Sequence, residues 1–315
     1  MTSTGSKRLG RFPTSFLRLS DRGQNGWWRY LLGVLVLIIA SEIIGPAPLY
    51  MLYGFADSIP GASINEATGA LQGVDPSVEF VLAILSSLIL IAALHLVVTV
   101  FHRRKFLSII TTAKRIRWRQ VAYGFFLWAV LITVSGYLVG MMLLPFGAAP
   151  IDASADGGNV NLFSFGLFVL LGIALTPIQT SSEELLFRGY LLQLTYRIGR
   201  RVWVPVVATS LLFAYVHFFS VGDSIVQWPV FLGYFAFGLL AALVTLKDGG
   251  LELALGMHAA NNIILVPTMY ANPSAPAVAM GEPFGDQLLY LVITAASAGV
   301  FWVLTFRYRF RFGKA

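Results

Sequence analysis

The chain has 315 residues, 57% of them hydrophobic and 12% charged, with a net charge of +7 and no cysteine. A soluble domain carries about 25% charged residues, so this composition belongs in lipid. The lack of cysteine excludes disulfides, thiolate metal sites and cysteine nucleophiles. The basic residues fall in short blocks between apolar runs, which speaks against nucleic-acid binding and for a membrane topology.

A basic stretch precedes Trp27, and the apolar run after it is long and lacks an early A-x-A site, so it reads as an uncleaved first span, Tyr30 to Tyr53. Seven more spans are predicted: Phe80 to Phe101, Val121 to Leu144, Leu162 to Thr180, Val202 to Phe219, Trp228 to Leu246, Leu251 to Met269 and Leu288 to Phe306. Each has at least the roughly 18 residues that cross a hydrocarbon layer about 30 Å thick.

All 22 Lys and Arg lie before the first span, in alternate loops, or after the last. The other loops hold acids instead: Asp57, Glu66, Asp75, Glu79, Asp152, Asp156, Asp223, Glu282 and Asp286. The positive-inside rule then places both termini in the cytoplasm. An odd number of spans would break the alternation. The expected fold is an all-α polytopic bundle of about eight membrane helices: a cytoplasmic tail over residues 1–28, a membrane domain over 29–307 and a basic tail over 308–315. Ser108 to Gln120 alternates apolar and basic residues and reads equally as an interfacial helix or a solvated basic loop.

Ionisable groups inside spans are costly and mark function by default. The candidates are Glu42, His95, Glu183, Glu184, Arg188, His217, Glu252 and His258. Glu42 and His95 lack a matching polar stripe and read as structural, and Glu252 opens span seven, where an acid suits a helix N-terminus. In EELLFR, Glu184 and Arg188 stand four apart in the favourable order for an ion pair, while Glu183 is rotated about 100° away. His217, in FAYVH, shares a helix face with Phe213, as His258 does with Asn262 in HAANN.

Together these residues supply an acid, two imidazoles and a carboxamide, a set able to hydrolyse an amide. A carboxylate withdrawn from water can take a proton from an attacking water, and an imidazole and an amide can donate to the developing oxyanion. The same Glu183, His217 and His258 could instead form a zinc shell. Neither HExxH nor G-x-S-x-G is present.

Taken in order, EELLFR, FAYVH and HAANN fit E-E-x-x-x-R, F-x-x-x-H and H-x-x-x-N. In this the chain resembles the CPBP family, the CAAX-type prenyl endopeptidases and bacteriocin-processing enzymes also called Abi proteins or intramembrane glutamic endopeptidases. The resemblance covers about residues 162–269. It implies a multi-pass protease of the cytoplasmic membrane acting on a membrane protein or peptide. Glu183 and His217 would activate water, His258 and Asn262 would line the oxyanion site, and Glu184, Arg188 and Phe213 would support them, with no cofactor needed and zinc as the alternative. Some family members are non-catalytic immunity or scaffold proteins, which is the competing reading. One tension remains in the sequence: Glu183 falls past the fourth apolar run, whereas His217 lies roughly 22 Å into span five. They can meet only if the EELLFR helix kinks back, at Pro177 for instance, or if span five begins before the hydrocarbon.

Overall fold

A computed structural model describes residues 13–65, 71–143, 161–219, 228–271 and 284–307. Among the loop acids, Glu66, Asp152, Asp156, Asp223 and Glu282 lie outside the described residues, as do the side chain of Asp286 and the basic Lys7, Arg8, Arg11, Arg309, Arg311 and Lys314.

The architecture is an all-α polytopic membrane bundle, in which helical hydrogen bonding satisfies the backbone as lipid requires. Helix α1 (Trp27–Ile39) passes through a π-helical turn, Ala40–Ile44, into α2 (Ala47–Gly54). Helix α3 (Pro76–Leu96) starts at Asp75, whose carboxylate accepts from the Ser77 amide at 2.8 Å. This is an N-cap with proline in the first turn, and the accepted bond holds the Asp75 carboxyl below its ordinary pKa. Helix α4 spans Trp118–Leu143. Helix α5 (Leu162–Glu184), capped by Asn161, runs through a π segment, Leu185–Leu191, into α6 (Leu192–Gly199). The remainder are α7 (Trp203–Phe219), α8 (Trp228–Asp248), α9 (Glu252–Ile263), α10 (Val266–Ala271) and α11 (Phe284–Phe306).

Among the described residues, five helical runs are long and apolar enough to cross a membrane: Trp27–Gly54, Pro76–Phe101, Trp118–Leu138, Leu162–Gly199 and Trp228–Asp248. Two shorter apolar helices, Trp203–His217 and Leu291–Phe306, fall on the predicted fifth and eighth spans.

Three expectations need correction. The fourth span does not stop at Thr180, because helical hydrogen bonding continues through EELLFR to Gly199, and Pro177 is accommodated inside α5. The seventh span is two helices: helical bonding lapses at Ile264 and Leu265, and Pro267 sits in the first turn of α10, where its missing N–H costs no intrahelical bond. Ser108 to Gln120 is not an interfacial helix, nor is it simply solvated. Thr111 bridges Gly250, the Leu251 amide donates to the Ile110 carbonyl at 2.7 Å, and Ser108 to Thr111 are buried. Extended pairing takes the backbone bonds a helix would need. Within the predicted cytoplasmic tail, Phe16, Leu17 and Leu19 are buried in the core.

Two apolar clusters hold the bundle. One gathers Phe16, Leu17, Leu94, Ile109, Tyr190, Leu192 and Leu251. The other gathers Trp128, Phe187, Phe213, Phe237, Leu253, Met257 and Phe301 and surrounds the polar centre. Helix α9 packs along α4 at backbone contact: a Cβ on Gly124 would overlap the Leu253 carbonyl, and one on Gly256 would overlap the Val121 carbonyl. Lipid offers no hydrophobic gain between helices, so such close approach through small residues is what joins them. A clasp fixes the start of α9: Arg117 reaches both carboxylate oxygens of the buried Glu252, at 2.9 and 2.6 Å, and Asp248 Oδ2 at 2.8 Å.

Candidate active site

The polar centre is built from α5, the π segment after it, α7 and α9. Arg188 Nη1 donates to Glu184 Oε1 at 2.9 Å, and both side chains are fully buried. His258 Nδ1 lies 2.8 Å from that same oxygen. Glu183 points to the other side, with Oε1 accepting from Gln179 Nε2. Its Oε2 lies 3.5 Å from His217 Nε2 and 3.7 Å from His258 Nε2. Glu183 and His217 therefore meet, and because α5 continues past Thr180 no return at Pro177 is required.

The partners of each imidazole fix which nitrogen carries a proton. His217 Nδ1 lies 2.8 Å from the Phe213 carbonyl, which can only accept, so Nδ1 is the donor. His258 Nδ1 likewise faces an acceptor, the ion-paired Glu184. Both rings thus turn Nε2 toward Glu183 Oε2, a buried oxygen that accepts no hydrogen bond from the described residues. The separations exceed a typical direct hydrogen bond of about 2.7–3.2 Å.

Aromatic rings wall the site. Phe213, almost wholly buried, lies between the Arg188 guanidinium, 4.3 Å from its ring centre, and the His217 ring at 4.2 Å. Tyr234 stacks on His217 at 4.7 Å, and Phe237 meets His258 edge-on at 5.1 Å.

Asn262 reaches the centre indirectly. Its Nδ2 donates to Gln179 Oε1 at 3.3 Å, and its Oδ1 accepts from Asn261, whose own carbonyl oxygen accepts from Trp128 Nε1 at 3.1 Å. A chain of hydrogen bonds thus runs Trp128, Asn261, Asn262, Gln179, Glu183, joining α4, α9 and α5. The sequence reading missed Gln179, Asn261, Trp128 and Tyr234. Gln179 carried a signal, since it stands one helical turn before Glu183; the others come together only through packing.

Glu252 is taken up by the Arg117 clasp. His95 packs on Phe106 at 5.1 Å, and Glu42 is exposed on the outer face of the first helical run. None of the three reaches the centre. Among the described residues, no group of three or more His, Asp or Glu side chains is arranged to hold a metal ion.

This geometry coincides with a known sequence pattern. Residues 161–264 match the type II CAAX prenyl endopeptidase Rce1-like family. The matched stretch begins at the α5 cap, ends after α9 and contains every motif residue, so the resemblance carried by the three motifs extends over the whole polar centre. The uncharacterized protein YyaK of Bacillus subtilis (strain 168) is 28% identical over 295 residues, covering 91% of this chain and 94% of that relative. The Rce1-like segment supplies the centre, while α4 contributes Trp128 from outside it.

Proposed function

We propose that the chain is an intramembrane endopeptidase that hydrolyses a peptide bond of a membrane-associated protein or peptide. The observation carrying this reading is the convergence of His217 Nε2 and His258 Nε2 on Glu183 Oε2 at 3.5 and 3.7 Å. A water held among them would be polarised from both sides, the placement a general base needs.

His258 lies against both carboxylates, Glu183 and Glu184. In this reading Glu183 and His217 take the proton from the attacking water, while His258 and Asn262 line the oxyanion site. The water oxygen bonds to the carbonyl carbon, and collapse of the tetrahedral intermediate breaks the C–N bond as the abstracted proton passes to the leaving amine. Asn262 spends one N–H on Gln179 and keeps a second for the oxyanion. The Rce1-like match and the membrane bundle support a protease working within the bilayer.

The test compares membrane peptidomes of cells carrying the parent gene or a Glu183→Gln copy. Shortened membrane proteins that appear only with the parent support the reading. Identical peptidomes would sink it and leave a binding or immunity role. With a substrate identified, activity that survives dialysis against chelator keeps the side-chain mechanism, whereas loss restored by zinc alone replaces it with a Glu183, His217, His258 zinc shell.

A further inference from the structure

A groove of about 900 Å³ lies on the outer side of α4, away from the polar centre. Arg115, Arg117 and Arg119 line its mouth, and Tyr123, Phe126 and Val130 continue it along the helix. Positions 119, 123, 126 and 130 fall on one helical face. Trp128, which faces α9, is rotated about 200° from both Phe126 and Val130 and belongs to the opposite side.

We propose that this groove binds an anionic phospholipid of the surrounding bilayer, its phosphate among the arginines and one acyl chain along α4. Charge is the first reason: Arg117 is already paired with Glu252 and Asp248, but Arg115 and Arg119 add two further cations to a lining that, among the described residues, holds no carboxylate. Basic pockets beside membrane helices are suited to anionic headgroups. Length is the second. From Arg119 to Val130 the helix rises about 16 Å, close to one leaflet's share of a hydrocarbon layer roughly 30 Å thick. The third is order along the helix: exposed Trp118 stands beside the arginines, where interfacial aromatics sit, and exposed Phe126 and Val130 lie deeper. Polarity thus changes along the groove as it does along a lipid. Arg117 forms part of the wall while gripping Glu252 at the first residue of α9. A headgroup there contacts the clasp that seats the helix bearing His258.

The test uses full-length protein in detergent, with bound lipid read by native mass spectrometry and stability by thermal melting. Phosphatidylglycerol and phosphatidylcholine of equal acyl length are the probes, and glycerol phosphate is the headgroup-only arm. The parent should retain phosphatidylglycerol at least fivefold better than phosphatidylcholine and gain melting temperature with it. Arg115→Gln/Arg119→Gln should lose that preference, and Ala122→Trp, which fills the groove, should retain less of both lipids. Arg201→Gln, an exposed cation outside the groove, should leave retention unchanged. Equal retention of the two lipids by the parent, unaltered preference in the double variant, or an equal loss in Arg201→Gln would overturn the site. Stabilisation by glycerol phosphate equal to that by the lipid would also overturn it, since the acyl chain would then contribute nothing.

Discussion

His258 Nδ1 lies 2.8 Å from Glu184 Oε1, the oxygen that Arg188 already holds at 2.9 Å. Glu184 therefore aligns a guanidinium and an imidazole with one atom, while its neighbour Glu183 faces the space between two imidazoles. Adjacent glutamates thus have separable roles, which substitution can tell apart.

Glu183→Gln keeps the volume and the contact with Gln179 but removes the base. The expected result is an unchanged melting temperature and a rate lowered about 10²- to 10⁴-fold. Arg188→Ala leaves Glu184 buried without its cation, a loss of roughly 3–5 kcal/mol, so melting temperature and activity should fall together. Cleavage rates beside detergent melting curves decide it. A Glu183→Gln protein that is stable and fully active would remove Glu183 from the chemistry.

Gln179 and Asn262 should act as a unit, because Gln179 joins Asn262 to Glu183. Either alanine variant breaks the same chain, so the double variant should be little worse than the poorer single one, with a coupling of about 0.5–3 kcal/mol. Rates for all four members of the cycle are the measurement. Losses that simply multiply would show that Asn262 works independently of Gln179.

The sequence carried the bundle and most of the centre unevenly, for physical reasons. Apolar runs announce spans because lipid demands them, and the four-residue spacings within EELLFR, FAYVH and HAANN announce shared faces. The bond from His258 to Glu184 joins residues 74 positions apart and has no local signature. The extent of α5 was misread because hydropathy falls at Glu183, although the backbone there remains helical, sheltered by Phe187, Phe213 and Arg188. The packed segment around Phe16 was hidden by the charges beside it, and the Arg117 clasp on Glu252 spans 135 positions.

Acid should loosen the bundle through His102. This buried ring sits between the Gln24 carbonyl, 3.1 Å from Nδ1, and the Tyr190 hydroxyl, 3.0 Å from Nε2, an arrangement that satisfies the neutral form. Burial, joined by nearby Arg104, Arg29 and Arg197, pushes its pKa down to about 4. An unfolded histidine titrates near 6.5, so the unfolded chain binds the extra proton first. The His102 contribution is whole above pH 6.5 and is lost as pH falls toward 4, about 3 kcal/mol in all. Melting curves from pH 7 to 4.5 should slope less steeply in His102→Gln than in the parent, and identical slopes would contradict the assignment.

Topology can be read directly, since the chain has no native cysteine. Ser58, exposed in the short turn after α2, belongs to a loop without Lys or Arg and is expected outside the cell. Ser58→Cys should react with a membrane-impermeant maleimide added to intact cells. Labelling only after the cytoplasmic face is opened would reverse the orientation.

Asp21 and Arg197 meet at 2.9 Å although 176 positions separate them. At roughly 5–20 residues per second, a ribosome makes Asp21 about 9–35 s before Arg197. Through that interval Phe16, Leu17 and Leu19 have no α6 to close on. The contact from α6 that closes over this first-made part of the described chain is thus unavailable until α6 is made. Nascent chains arrested before α6 should be clipped by protease near Leu17, and chains released after Gly199 should resist.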